Sequence, residues 1–152
     1  MSATSIKSRI TTDTKTAMKS GDKSRLGVIR LISAAIKQRE VDERVALDDE
    51  QVITVLDKMC KQRRESIEQY EKANRDDLAQ QEAFELEIIK SYLPAELTAE
   101  ELTKLITEAI SVNNASSIRD MGTVMAYLKP EIQGRADLAK VSQQIKALLN
   151  TP

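Results

Sequence analysis

The sequence predicts an all-α protein, with an N-terminal four-helix subdomain followed by a smaller C-terminal three-helix bundle. Three observations lead there. Apolar residues recur at spacings of three and four, with little alternation in twos. Only 4 Gly and 3 Pro are available for turns, too few for a sheet with many hairpins. Hydrophobic residues make up 41% of the chain while aromatic ones make up 3%, so the core is built from Leu, Ile, Val, Ala and Met. At 152 residues the chain holds one ordinary domain or two small ones.

The elements follow in order. Ile6, Ile10, Ala17 and Met18 fall on one helical face, which predicts a first helix over about Thr4 to Ser20 that ends at Gly21. Asp22 is placed to cap a second helix over about Lys23 to Arg44. Its middle, Leu26 to Ile36, is apolar on most sides and reads as the centre of the bundle. Asp48 and Gln51 make a capping box for a third helix, whose broad stripe runs through Val52, Leu56, Met59, Arg63, Ile67 and Tyr70. Asn74 ends that helix, and a fourth runs over about Asp76 to Ser91. Tyr92-Leu93-Pro94 closes the first half, because a residue before proline avoids helical angles. This sets subdomains of 1–94 and 95–152. Thr98 and Glu101 form a second capping box and start helix five, with Leu102, Leu105, Ile106, Ala109 and Ile110 inward, up to Asn113-Asn114. Ser116 or Ser117 caps helix six, whose face is Met121, Val124, Met125 and Leu128, with Pro130 just beyond its end. Gly134 opens a turn, and Asp137 caps helix seven, with Val141, Ile145 and Leu148 as its apolar positions.

Met121-Gly122-Thr123-Val124-Met125, Pro130 and Gly134-Arg135-Ala136-Asp137 followed by Val141 resemble the tail motif of the GatB/YqeY family. So do segments elsewhere: Arg25-Leu26-Gly27-Val28-Ile29-Arg30, Ala34-Ala35-Ile36-Lys37, Lys61-Gln62-Arg63-Arg64-Glu65-Ser66, Tyr70, Ala73-Asn74-Arg75-Asp76-Asp77-Leu78 and Tyr92-Leu93-Pro94. The resemblance covers nearly the whole chain and is to the stand-alone form. One departure is Leu138, where the family more often has Gly or Pro. In this family the tail also ends the B subunit of the glutamyl/aspartyl-tRNA amidotransferase, where it is understood to contact the outer corner of tRNA. The resemblance therefore implies a tRNA-binding or amidotransferase-associated accessory protein, with amidotransferase subunits or an aminoacyl-tRNA synthetase as possible partners. The family-level activity is carbon–nitrogen ligation with glutamine as amide donor.

The residues themselves supply no reaction. There is no histidine, the commonest general base and metal ligand. There is no Gly-rich phosphate loop and no dinucleotide fingerprint. We therefore expect no catalytic residues, no cofactor, no metal and no complete active site. The carboxylate pairs Asp48-Asp49 and Asp76-Asp77 sit at helix starts, where negative charge suits the helix dipole. The lone Cys60 lies among core positions and reads as a small buried residue. It forms no disulfide framework, which suits a reducing cytoplasm. No apolar run reaches membrane length, so no membrane partner is expected. Residues 1–20 resemble a transit peptide in composition, but the apolar spacing supports a retained first helix.

The net charge of −1 hides an uneven distribution. Residues 1–46 hold ten basic and five acidic side chains, whereas residues 76–108 hold two basic and nine acidic. Lys23, Arg30, Lys37 and Arg44 recur every seven residues, which places them on one stripe of helix two about 30 Å long. Such a stripe suits backbone phosphates of a folded RNA. Equally, it suits a solvated helix face that pairs with the acidic second half of the chain. Arg64 is a further exposed candidate, while Arg63 on the apolar stripe calls for a carboxylate partner, Glu85 or Glu87. Arg119, Lys129, Arg135 and Lys140 surround the tail corner, where the N–H groups opening helix seven also suit a phosphate. With three Tyr there is no stacking platform, so any RNA contact is by shape and phosphate. The alternative is a protein–protein adaptor that docks through its basic N-terminal bundle or its acidic middle.

Overall fold

The computed structural model describes residues 5–150. Seven α-helices follow one another: α1 Ile6–Ser20, α2 Lys23–Glu43, α3 Asp49–Lys72, α4 Asp76–Lys90, α5 Ala99–Val112, α6 Met121–Ile132 and α7 Leu138–Leu149, with a 3-10 turn at Ile118–Asp120. The described residues contain no strand. The chain divides into two compact units, Met1–Leu93 and Pro94–Pro152.

Local chemistry sets most boundaries. Ser5 caps α1 by accepting from the Ser8 amide at 3.1 Å, and the expected start at Thr4 lies outside the described residues. Gly21 ends α1 at φ 72, a left-handed angle that glycine adopts without a Cβ penalty. Asp22 accepts from the Arg25 amide at 3.1 Å and starts α2. Both capping boxes form: Asp48 with Gln51, and Thr98 with Glu101. Asn74 (φ 57) and Asn114 (φ 51) stand in left-handed turns, where Asn is tolerated better than most residues.

Some local features differ from expectation. The N-cap position of α6 is Asp120, and Ser117 instead precedes the 3-10 turn. The helix of α2 stops at Glu43, and Arg44 takes a left-handed cap conformation at φ 55, outside the helical register. Pro130 lies inside α6. It forfeits a bond to the Ala126 carbonyl and faces solvent, while fully buried Ile132 holds the last turn and the Gln133 amide still donates to Lys129 O at 3.0 Å. In α7 the third inward position is Leu149, not Leu148, which is 50% exposed. Steps of four from Val141 through Ile145 carry the buried stripe to Leu149.

The larger unit buries an aliphatic cluster in which Ile29, Ile32, Val52, Leu56 and Ile89 are almost sealed from solvent. Each such side chain contributes about 1.5–3 kcal/mol. Helix α2 packs on α1, α3 and α4, and the longest helix, α3, forms its most extensive pairing with α4. Cys60 is fully buried in this cluster. Polar ties lock α1 onto it. The Ile6 amide donates to Asp49 Oδ1 at 3.0 Å. Lys7 Nζ reaches Glu40 Oε2 at 2.6 Å, and the same oxygen accepts from the Leu47 amide at 2.9 Å. These two donors hold the Glu40 carboxyl below the usual carboxylate range. Arg9 donates to the Ser91 carbonyl at 3.0 Å and stacks over the Tyr92 ring, 5.3 Å from its centroid. The Tyr92 hydroxyl donates to Asp13 at 2.5 Å. A first helix with Ile6, Ile10 and Ala17 in the core is an integral part of the fold.

The smaller unit has its own cluster: Ile106, Ala109, Val124, Leu128, Ile132, Val141, Ile145 and Leu149, with Met121 and Met125 half-buried against it.

Tyr92→Phe keeps the ring and removes the bond to Asp13. We expect a loss of about 1–2 kcal/mol of unfolding free energy in urea denaturation, with helical content unchanged. Because burial pushes the Cys60 thiol up to about 11, a thiol-reactive disulfide reagent at pH 8 should modify it only at the rate of unfolding. Rapid modification of the native protein would contradict that placement.

Candidate nucleic-acid interface

The candidate cations fall in both units. Lys23, Arg30 and Lys37 lie exposed on α2. Arg44 is also exposed, but its cap conformation removes it from their stripe. The helical column therefore runs from Lys23 to Lys37, about 21 Å rather than 30 Å. Arg64 is half-buried on α3. In the smaller unit Arg119, Lys129 and Lys140 are exposed, and Arg135 is half-buried. None of these nine residues forms a salt bridge among the described residues, whereas Lys7, Arg39, Arg63, Lys72, Arg75 and Lys90 all do.

Arg63 lies within ion-pair range of carboxylates, while its buried Nε makes no hydrogen bond among the described residues. Its partners are Glu82 and Glu85, each at 3.8 Å, on α4. Glu87 pairs with Lys90 instead. Burial raises the Glu85 carboxyl above its ordinary value, and the charge on Arg63 offsets part of that rise. Asp77 binds the Arg75 guanidinium through both oxygens, at 3.1 and 3.2 Å. This ties the α3–α4 turn.

The tail corner is built from the backbone outward. Gly134 is buried at φ 76, an angle that disfavours any side chain. The Arg135 amide donates to Ile132 O at 2.9 Å, and its carbonyl accepts from the Leu97 amide at 2.9 Å. Its Nε donates to the Ala95 carbonyl at 3.0 Å. Arg135 thus fastens the segment entering α5 to the turn between α6 and α7, and its positive charge helps to lower the Glu101 carboxyl, after the larger effect of the Thr98 hydrogen bonds. Asp137 caps α7 by accepting from the Ala139 amide at 3.1 Å. At the entry to α6, Asp120 accepts from the Ser116 and Ser117 amides at 2.8 and 3.2 Å, which holds its carboxyl below the ordinary range. The corner is therefore rigid, and it presents Lys129 from the last turn of α6 and Lys140 from the first turn of α7.

One groove, of about 610 Å³, opens between α2 and α3 and is lined by residues including Arg39, Asp42, Lys58 and Met59. It contains none of the nine cations and no nucleophile–base pair.

The profile of the YqeY family, Yqey-like protein, matches residues 7–149. The chain belongs to the YqeY family. Among its relatives is the altered inheritance of mitochondria protein 41, mitochondrial, of Pyrenophora tritici-repentis, 31% identical over 147 residues, which cover 93% of this chain and 79% of the relative. The protein of that name from Eremothecium gossypii is 39% identical over 84 residues, 55% of this chain and 46% of the relative. That from Lachancea thermotolerans is 35% identical over 116 residues, 71% of this chain and 62% of the relative. The matches thus span about half to four-fifths of the fungal proteins. Against this YqeY background the elements missed by sequence reading are the tertiary ties of Asp13, Glu40, Asp49 and Arg135. Each partner is remote in sequence, so periodicity carries no signal for it.

Arg135→Ala should lower the thermal stability of the smaller unit by about 1 kcal/mol, because it frees the Ala95 carbonyl. Amide exchange at Leu97 should rise with it. An unchanged melting profile and unchanged Leu97 protection would show Arg135 to be a solvated surface residue.

Proposed function

We propose that this protein is a tRNA-docking accessory of translation without a complete active site, associated with glutamine-dependent tRNA amidation. The observation that carries the reading is the corner of the smaller unit: a hydrogen-bonded turn flanked by exposed cations, Lys129 and Lys140, that form no salt bridge among the described residues. Arg119, exposed in the turn before α6, adds a third. A phosphate backbone is the partner such a surface suits, and the stand-alone YqeY resemblance to the amidotransferase tail supplies tRNA as the folded RNA. The carbon–nitrogen ligase label of the wider family reaches this chain through that tail. It names the pathway served and assigns no catalytic residue here.

The compartment forms part of the proposal. A single buried thiol fits a reducing cytoplasm. No helix of the described residues is long and apolar enough to cross a membrane. The fungal relatives carry "mitochondrial" in their names, and fractionation of the native cell separates the two compartments.

Titration with total tRNA and then single tRNAs, at two salt concentrations, tests the function. Binding should weaken linearly on a log–log salt plot, and the Lys129→Ala/Lys140→Ala double variant should flatten that slope by about two with its melting temperature unchanged. Folded protein that fails to bind tRNA at low salt sinks the proposal. Turnover of glutamine and ATP on misacylated tRNA by the protein alone would show that it does carry an active site.

A further inference from the structure

The outer face of α2 presents a second and different surface. Counting outward-facing positions gives Lys23, Gly27, Arg30, Ala34, Lys37 and Val41, alternating steps of four and three, and every one of them is exposed. That alternation is the seam of a helix made to lie along another helix. Here the seam interleaves two sets. Lys23, Arg30 and Lys37 form a cation column with no salt bridge among the described residues. The acids of α2 are engaged elsewhere: Glu40 by Lys7, Glu43 by Arg39 and Asp42 by the Gln38 amide. Gly27, Ala34 and Val41 form the small and apolar set between the cations.

Gly27 is the informative member. Glycine inside a helix costs stability relative to alanine. A Cβ at this position would meet nothing within 4 Å, so nothing inside the larger unit requires its absence. Close approach from outside the chain would require it. The apolar exposure of this face points to what approaches: Val41 is 60% exposed, and Leu31 beside the seam is 46% exposed. A phosphate strand would leave these groups in water, whereas a protein helix covers them.

We propose that the outer face of α2 docks an acidic amphipathic helix of a partner protein, with partner carboxylates at heptad spacing on Lys23, Arg30 and Lys37 and the partner backbone close over Gly27 and Ala34. The cation pitch of seven residues, about 10.5 Å, is one heptad of the helix alongside. The surface lies in the larger unit and is independent of the tRNA-facing corner, so the protein links a folded RNA to a second protein.

The test uses the full chain and a designed helical peptide with Glu at one seam position and Leu or Ala at the other in every heptad. Polyglutamate controls for charge alone, and an RNA duplex controls for phosphate. The peptide should bind at least tenfold more tightly than polyglutamate. Gly27→Leu should weaken it at least tenfold while leaving tRNA binding unchanged and the melting temperature no lower. Arg30→Glu should abolish binding, and a peptide with Lys opposite position 30 should restore it. The inference is overturned if Gly27→Leu leaves peptide affinity unchanged, if the RNA duplex occupies this face in competition with the peptide, or if the wild-type chain self-associates through α2 in sedimentation equilibrium. Loss of tRNA binding in the Lys129→Ala/Lys140→Ala variant with peptide binding intact keeps the two readings apart.

Discussion

Tyr92 enters an otherwise aliphatic core at the end of α4 and delivers its hydroxyl to Asp13 on α1. Interdigitating Ile, Val and Leu side chains bury well in many rotations of a helix, so volume alone does not specify how α1 sits. A buried hydroxyl is less tolerant, because leaving it unpaired costs its full desolvation. The 1% exposure of Tyr92 therefore makes Asp13 an obligatory neighbour. Arg9, one turn earlier, covers the same ring and takes the Ser91 carbonyl. With α1 rotated to satisfy these groups, Ile6 and Ile10 turn inward, and Lys7 turns toward Glu40. The rest of the larger unit is arranged around that choice.

What the sequence revealed was the local part. Caps at Asp22, Asp48, Thr98 and Asp137 and the terminator Gly21 act within a few residues of themselves, so they are readable without a fold. The apolar stripes of α3 and α6 are equally local. Three failures share another cause: the deciding partner was not in the window. Leu148 and Leu149 are both compatible with the pattern of α7, and only the neighbours across the bundle select Leu149. Pro130 is an ordinary helix stop until Ile132 is buried beyond it. Arg44 continues the seven-residue repeat, yet the left-handed turn that lets Leu47 reach the core takes it out of the helix. Of the candidate site, the exposure of Lys129 and Lys140 was legible, and the fastening role of Arg135 was not, since its acceptor at Ala95 lies 40 residues away.

The distribution of charge gains meaning from this division. Cations close to the core junctions, Lys7, Arg39 and Arg63, are consumed by carboxylates that the fold brings to them. Some exposed cations, Lys72 and Arg75, are paired with neighbours close in sequence, while the nine candidate cations form no salt bridge among the described residues, although the chain holds 24 acids against 23 bases. Near-neutrality overall therefore coexists with exposed cations on each unit that form no salt bridge among the described residues. The YqeY fold here is a pair of small scaffolds that differ in what they expose: a bent backbone corner in one, a straight helical seam in the other.

The ties that fasten α1 span long stretches of chain, 79 residues from Asp13 to Tyr92 and 82 from Arg9 to Ser91. Closing loops of that length is entropically dearer than closing the short turn between α6 and α7. On the ribosome α1 emerges before its acceptors exist, since Ser91 and Tyr92 are among the last residues of the larger unit to be made. Helix α2 can cover part of its apolar face once made, but the ties to Ser91 and Tyr92 must wait through the synthesis of three helices. Helix α1 is thus held in two stages: by α2 and α3 early, and by the Asp13–Tyr92 and Arg9–Ser91 ties only once the larger unit has been made in full.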